Sequence, residues 1–421
     1  MYTKINTCRV CGNSNLIKIV DLGMQKLTGI FPEHGQEVNE GPLVLMKCMP
    51  NKDEEKVCGL VQLGHSCESS EMYGENYGYR SGLNLSMIEH LKEITGYIKN
   101  IVKINDDDLI IDIGSNDGTL LRSYERDNLD YIGIDPTGNK FKKYYPSNIT
   151  LIIDFFSSKR LQDIRGNKKA KIITSIAMFY DLDDPIKFAR EIYEIIADDG
   201  IWVIEQSYLP AMLEANSFDT ICQEHLEFYC LLQIEWIVKA AGMKVIDVSL
   251  NDTNGGSFRC TISKENAEYQ ESRNVQEIRK YEENNNYNSI SVYTNFNKRI
   301  EESKEALVKF IIEEKAKGKK IYGYGASTKG NVLLQYCGIT DDDIIAIAEV
   351  NEDKFGHVTP GTEIPIISEQ EAKKDNPDYF IVLPWHFRDN ILEKEKEYRK
   401  CSGCKFVFPL PKLEVVNANE G

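Results

Sequence analysis

Four short runs that are apolar almost from end to end follow one another in this chain: LIIDI from Leu109, YIGID from Tyr131, IITSIA from Ile172 and IWVIEQ from Ile201, with amphipathic stretches between them. A run of this length without polar alternation suits a strand buried on both faces, and the intervening helices supply the cover. The pattern therefore predicts a doubly wound parallel sheet over residues 76–265. The same alternation returns from Lys319 in KKIYGYG, DIIAIAEV, YFIVLPW and CKFVFP, which predicts a second, smaller α/β domain over 319–421. Residues 266–318 are rich in Glu, Lys and Asn, with Ile300, Leu307 and Ile311 spaced for long helices, and read as a helical connector. Residues 1–75 form a small loop-and-strand module with too few apolar positions to fold unaided.

Cysteine supplies what that module lacks. Cys8 and Cys11 form a C-x-x-C turn in CRVCGN, and Cys48 and Cys58, which border the strand-like LVLMKC and CGLVQL, offer two further thiolates for a tetrahedral zinc ion. Nine residues separate Cys48 from Cys58, more than a zinc ribbon uses, so Cys67 or His65 are alternatives for one of them. A closed site of four cysteines leaves no open coordination position, and its zinc would be structural. Cys401 and Cys404 have no second pair nearby, and no metal or redox role is expected of them.

The polar start MYTKINTCRVCG lacks the apolar centre of a secretion signal, and no stretch approaches the roughly 18 apolar residues that cross a bilayer. A cytoplasmic protein with reduced thiols and no membrane partner is expected. The net charge of -16, from 50 Lys+Arg against 66 Asp+Glu, opposes nucleic acid as a partner. A small anionic ligand in a locally positive pocket remains compatible with it.

In LIIDIGSNDGTLL a strand runs into a loop with Asp112, Gly114, Asn116, Asp117 and Gly118, then into a helix. Asn116 stands where a dinucleotide fingerprint has the second glycine that lets a pyrophosphate approach, so a ligand without a pyrophosphate fits better. Asp135, seventeen residues past Gly118 in YIGIDP, can accept both hydroxyls of a ribose. Asp154 with Phe155 and Phe156, after the third strand, can hold an adenine amino group and cover its ring. S-adenosylmethionine fits all three strand ends.

Glu224 and His225, in SFDTICQEHLEFY, can act as a proton acceptor where the backbone bends enough for both to face one pocket. A histidine satisfied within the core is the competing reading. NDTNGGSFRC carries Asn254 and Arg259 around a Gly-Gly turn. IYGYGASTKGN sets Gly323, Gly325 and Gly330 between a strand and a helix with Lys329 at the helix entry, which suits a phosphate. With Glu349 nineteen residues past Gly330 it also allows an NAD site. His90 and the other histidines show no comparable pairing with a carboxylate.

In order, CRVC, CGLVQL, YGYRSG, DIGSNDG, EHLEFY, NGGSFR and GYGASTKG resemble the nucleotide-sugar C-methyltransferases of deoxysugar pathways, over nearly the whole chain. The resemblance implies a zinc-binding N-terminal module, a central Rossmann-like class I methyltransferase domain that takes S-adenosylmethionine, and a C-terminal α/β domain, together enclosing a nucleotide-linked keto-sugar. It implies C-methylation beside the ketone through an enolate, with His225 as general base assisted by Glu224. Tyr77, Tyr79, Arg80, Asn254 and Arg259 would contact the sugar or its phosphates, and Lys329 the diphosphate or nucleoside. Cys222 stands where the resembled enzymes have a tyrosine, and Asp181 where they have a histidine. With those departures a sugar O-methyltransferase is the alternative, followed by an NAD-dependent nucleotide-sugar oxidoreductase and a non-enzymatic scaffold.

Overall fold

A computed structural model describes residues 2–52, 56–68 and 79–418. The central sheet has seven strands, in the spatial order Met243–Asn251, Ser257–Lys264, Ile196–Ser207, Ala170–Ile176, Leu109–Ile113, Asp130–Ile134 and Ile149–Ile152. The strands are parallel except Ser257–Lys264, which runs antiparallel to both neighbours. Alternate residues of the apolar runs enter different cores. Ile110, Ile172, Ile201 and Val203 pack with Leu91, Ile94 and Ile98 of the helix Leu85–Ile101. Ile111, Ile173, Trp202 and Ile204 pack with Phe188, Ala189 and Ile192 of the helix Pro185–Ile195 on the other face. This two-sided cover is why the strands carry no polar alternation. The chain order reverses beside Leu109–Ile113, which opens a crevice at the carboxyl ends of the strands.

The N-terminal module is not self-contained. Its sheet runs Glu227–Phe228, Val61–Leu63, Glu40–Cys48 and Leu16–Lys26, so one strand is lent by the central segment. The C-terminal sheet has the order Ile366–Ser368, Ile347–Glu349, Ile321–Tyr324, Tyr379–Val382, Lys405–Phe408 and Glu414–Val416, parallel apart from the last strand. The connector is two helices, Arg273–Asn285 and Ile290–Ala316. The second places Phe296, Ile300, Leu307 and Ile311 in one core with Val20 and Leu22 of the N-terminal module and Ile347 and Phe380 of the C-terminal sheet. It works as a shared wall between the two outer parts. No helix among the described residues is long and apolar enough to cross a membrane.

Side-chain amides from the central segment and the C-terminal domain grip one strand end of the N-terminal module. Gln223 Oε1 accepts from the backbone N–H and the hydroxyl of Thr28 at 3.3 and 3.1 Å, and its Nε2 donates to Gln25 O at 3.2 Å. From the C-terminal side, Asn331 Nδ2 donates to Thr28 O at 2.8 Å, and Gln335 Oε1 accepts from Lys26 N at 2.8 Å. Gln223→Ala leaves buried donors of Thr28 unpaired, and the expected cost is about 1–3 kcal/mol. Urea unfolding should show the midpoint falling accordingly.

Candidate active site

A cavity of about 600 Å³ lies at the carboxyl ends of the central strands. Gly29 and Phe31 of the N-terminal module and Thr328, Lys329 and Lys354 of the C-terminal domain complete its wall. Asp112, Gly114, Asn116, Asp135, Asp154 and Phe155 line one end, and Glu224, His225, Asn254 and Lys329 also face it. Tyr79 stands at the rim, half exposed. Tyr77 lies outside the described residues.

The loop after Leu109–Ile113 needs left-handed backbone at Gly114, Asn116 and Gly118, with φ of 75°, 49° and 74°. A Cβ at Gly114 would also come within 3.0 Å of Met178. Asp135 holds this loop, its Oδ2 accepting from Asn116 N–H and its Oδ1 from Thr137 N–H, both at 2.7 Å. Oδ1 also accepts from the Thr137 hydroxyl, and since a carboxylate has about four acceptor positions, the spare one for a ribose hydroxyl lies on Oδ2. Burial pushes the Asp112 carboxyl up to about 7, against the 2.6 Å hydrogen bond it accepts from Thr174. Asp154 is paired with Arg160, and Phe155 stays exposed over the cavity edge.

Other residues of this group hold the segment entering the helix Leu85–Ile101. Asn116 Oδ1 accepts from Ser81 N–H at 2.9 Å and its Nδ2 donates to Tyr79 O at 3.1 Å. Asp117 accepts from Gly82 N–H at 3.1 Å and from the Thr119 hydroxyl at 2.6 Å. Neither Asp117 nor Gly118 lines the cavity. Arg80, expected on the substrate, instead pairs with Asp117 at 3.4 Å, donates to Tyr144 at 2.7 Å and stacks on its ring. The Asp117 carboxylate and the ring draw it onto the loop.

The chain bends between Cys222 and His225, with His225 N–H bonded to Cys222 O at 3.2 Å, and this bend is what lets adjacent Glu224 and His225 face one cavity. His225 Nδ1 donates to Thr220 O at 2.8 Å, which leaves Nε2 as the basic atom. Burial, with a smaller contribution from Lys329, holds the imidazole down to about 4, so it is neutral near pH 7. Burial raises Glu224, whose carboxylate accepts from the Cys222 thiol. It lies so close to Gly29 that a Cβ there would fall on its Oε1. Asp181 lines the same cavity, and the Tyr180 ring stands edge-on to the His225 ring at 4.4 Å.

Arg259 does not reach the cavity. It is buried behind the wall, with Nε 2.8 Å from Glu205 Oε2 and the guanidinium over Tyr97. Glu205 does line the cavity, and it also bonds Asn251 Nδ2 at 3.0 Å and His90 Nε2 at short range. The pairing of His90 with a carboxylate is thus made in space, across 115 residues. Gln206, beside it, is buried on the cavity wall with neither amide atom partnered among the described residues, and Lys354 reaches the wall from a short turn.

The sulfur atoms of Cys8, Cys11, Cys48 and Cys58 all lie within 4.8 Å of one another. Cys8 to Cys58 is 3.3 Å and Cys11 to Cys48 is 3.6 Å, near the roughly 3.8 Å edge of a tetrahedron with 2.3 Å zinc–sulfur bonds. The four residues fit a structural zinc. Cys67 and His65 lie apart, in the edge pair with Tyr2–Lys4.

The glycine-rich loop of the C-terminal domain is filled by its own protein. A Cβ at Gly325 would meet Pro384 at 2.8 Å, one at Gly330 would meet Leu383 at 2.7 Å, and one at Gly323 would collide with Ile347. Glu349 spends its oxygens on the backbone N–H groups of Ala326, Val350 and Asn351 at 2.7–2.9 Å. These glycines serve packing, and the geometry does not suit NAD.

Three family models tile the chain: "Putative zinc binding domain" over residues 8–73, "Methyltransferase domain" over 86–248 and "C-methyltransferase C-terminal domain" over 252–411. The chain is similar to the C-methyltransferase NovU of Streptomyces niveus, 27% identical over 420 residues, which cover 98% of this chain and 97% of that protein. Carboxy-S-adenosyl-L-methionine synthase of Nautilia profundicola is 27% identical over 142 residues, 33% of this chain and 56% of that one. Among solved structures, the plantazolicin methyltransferase BpumL in complex with SAH superposes with a TM-score of 0.33 at 14% identity, over 41% of this chain and 82% of that one.

Elemental analysis of purified protein should find about one zinc per chain, and Cys8→Ser should lose the metal and solubility together. Asp135→Ala should weaken S-adenosylmethionine binding by about 2 kcal/mol in calorimetry, since the ribose loses a buried acceptor. Unchanged affinity would move the adenosyl site elsewhere.

Proposed function

We propose that this chain, an S-adenosylmethionine-dependent C-methyltransferase with a zinc-binding N-terminal module, methylates the carbon beside the ketone of a nucleotide-linked sugar, with His225 as the general base. The carrying observation is the His225 ring, whose Nδ1 is committed to Thr220 O while Nε2 stays free in a cavity shared with the loaded strand ends. The carbon acceptor is supported by the C-terminal family model and by the similarity to NovU. An anionic, nucleotide-linked substrate is supported by Lys329 and Lys354, two cavity-facing cations on a molecule of net charge -16.

S-adenosylmethionine, when bound, supplies an electrophilic methyl group on a positively charged sulfur. Asp135 would hold its ribose, and Asp154 with Phe155 its adenine. His225 takes the proton from carbon, and the Thr220 carbonyl holds the imidazolium that forms by its Nδ1–H. Glu224, placed one residue away and pressed on Gly29, supplies negative charge to that imidazolium.

His225→Ala should abolish both methyl transfer and exchange of the C–H beside the ketone in deuterium oxide, with S-adenosylmethionine affinity nearly unchanged. Glu224→Gln should slow both less. Because the free imidazole is neutral above about 4, kcat/KM should hold as pH falls through 6.5 and decline only near 4. Full turnover by His225→Ala would return this histidine to a structural role, and a methyl ether product without C–H exchange would place the methyl on oxygen.

A further inference from the structure

Taking a proton from carbon beside a ketone leaves a full negative charge on the ketone oxygen. A buried imidazole of lowered basicity drives that step poorly unless a fixed positive group meets the charge. Lys329 has the required position. It follows the N-cap Ser327, whose Oγ accepts from Gly330 N–H at 3.0 Å, in the first turn of the helix Thr328–Cys337. That helix end adds its own partial positive charge. Its Nζ makes one hydrogen bond, 2.8 Å to Asn254 O, and among the described residues no carboxylate oxygen lies within 4.0 Å of it. An ammonium has three donors, so two remain for a ligand in the cavity that Lys329 lines.

Burial lowers the Lys329 ammonium and the Asp219 carboxylate opposes that fall, yet Asp219 is occupied elsewhere: its Oδ2 accepts from Trp385 Nε1 at 2.7 Å and its Oδ1 from the Ser217 hydroxyl at 3.1 Å. The ammonium is also within electrostatic reach of His225, on which it acts after burial. Lys354 is held by other groups. Its Nζ bonds Ala326 O at 2.8 Å and lies 4.3 Å over the Phe31 ring, where the N-terminal module closes the cavity.

We propose that the two lysines divide the substrate: Lys329 donates to the ketone oxygen and holds it as the enolate, and Lys354 meets the phosphates. The inference rests on the keto-sugar reading above. His225 Nε2 takes the proton, the C–H pair becomes the carbon–carbon double bond, and the carbonyl pair moves onto oxygen against the Lys329 ammonium. That pair then returns to reform the ketone as the carbon bonds the methyl group, whose bond to sulfur breaks with its electrons left on sulfur. Lys329 is a catalytic residue in this scheme and remains protonated throughout.

The test uses the full chain and a panel of nucleoside-diphosphate keto-hexoses with thymidine, uridine and guanosine bases, in deuterium oxide with S-adenosylhomocysteine. Lys329→Gln should lower C–H exchange and kcat by about 100-fold, with S-adenosylmethionine affinity unchanged, and Lys329→Arg should recover part of both. Lys354→Gln should raise KM with little change in kcat. Calorimetric S-adenosylmethionine binding by each variant reports that it is folded. Exchange by Lys329→Gln at the wild-type rate overturns the inference alone, as does a borohydride-trapped adduct on Lys329, which would make the amine a nucleophile. Wild-type protein that exchanges no member of the panel overturns the keto-sugar reading, and the inference with it.

Discussion

The amide of Gln223 fixes the bend of chain that carries Glu224 and His225. It lies in the residue before Glu224 and His225, is 2% exposed, and takes its partners from the N-terminal strand end rather than from its own domain. Asn331 and Gln335 grip the same strand end from the C-terminal helix. A buried amide satisfied on both ends tolerates little displacement, because any shift strands a donor away from water. The cavity is therefore assembled by side-chain amide hydrogen bonds crossing three parts of the chain, and the zinc-binding module acts at the site by placing Gly29 and Phe31 on its wall.

The cavity is polarised from end to end. Asp112, Asp135 and Asp154 sit at the strand ends, and Lys329 and Lys354 come from the C-terminal domain. Burial first, and the Asp135 charge after it, raise Asp112, which shows how much negative potential this end carries. On the reading proposed above, a sulfonium would be favoured beside the strand-end carboxylates and a phosphorylated or enolate ligand beside the lysines. A net charge of -16 gives no hint of this, since two lysines among fifty basic residues decide it.

The sheet was legible because burial on both faces removes polar alternation, and the carboxylates after it because strand ends in such a sheet meet ligands. The turn at Cys222–His225 was legible as a condition, that the chain must bend, without its cause. What stayed hidden depends on contacts distant in sequence. His90 meets Glu205 only once a helix packs on the sheet, and Arg259 is turned from the substrate by the same carboxylate. Lys354 comes from a turn that carries no pattern. The spacing of Gly323, Gly325 and Gly330 suggested a phosphate loop, while Ile347, Pro384 and Leu383 occupy the space those glycines leave. Glycine spacing reports close approach, and the approaching group can as well be a side chain.

The two departures from the resembled enzymes bear on how a proton is handled here. Cys222 is fully buried, and its thiol, raised by that burial, hydrogen-bonds the Glu224 carboxylate. A thiol is a weak donor, so it orients Glu224 without matching the hydroxyl of a tyrosine. Asp181 adds a carboxylate to the wall in place of an imidazole, making this side of the cavity less able to steady a developing anion. Both changes weaken the donors on this side of the cavity. On the keto-sugar reading proposed above, the requirement for positive charge at the ketone oxygen would then fall more heavily on Lys329, whose ammonium keeps donors free of Asn254 O and acts on His225.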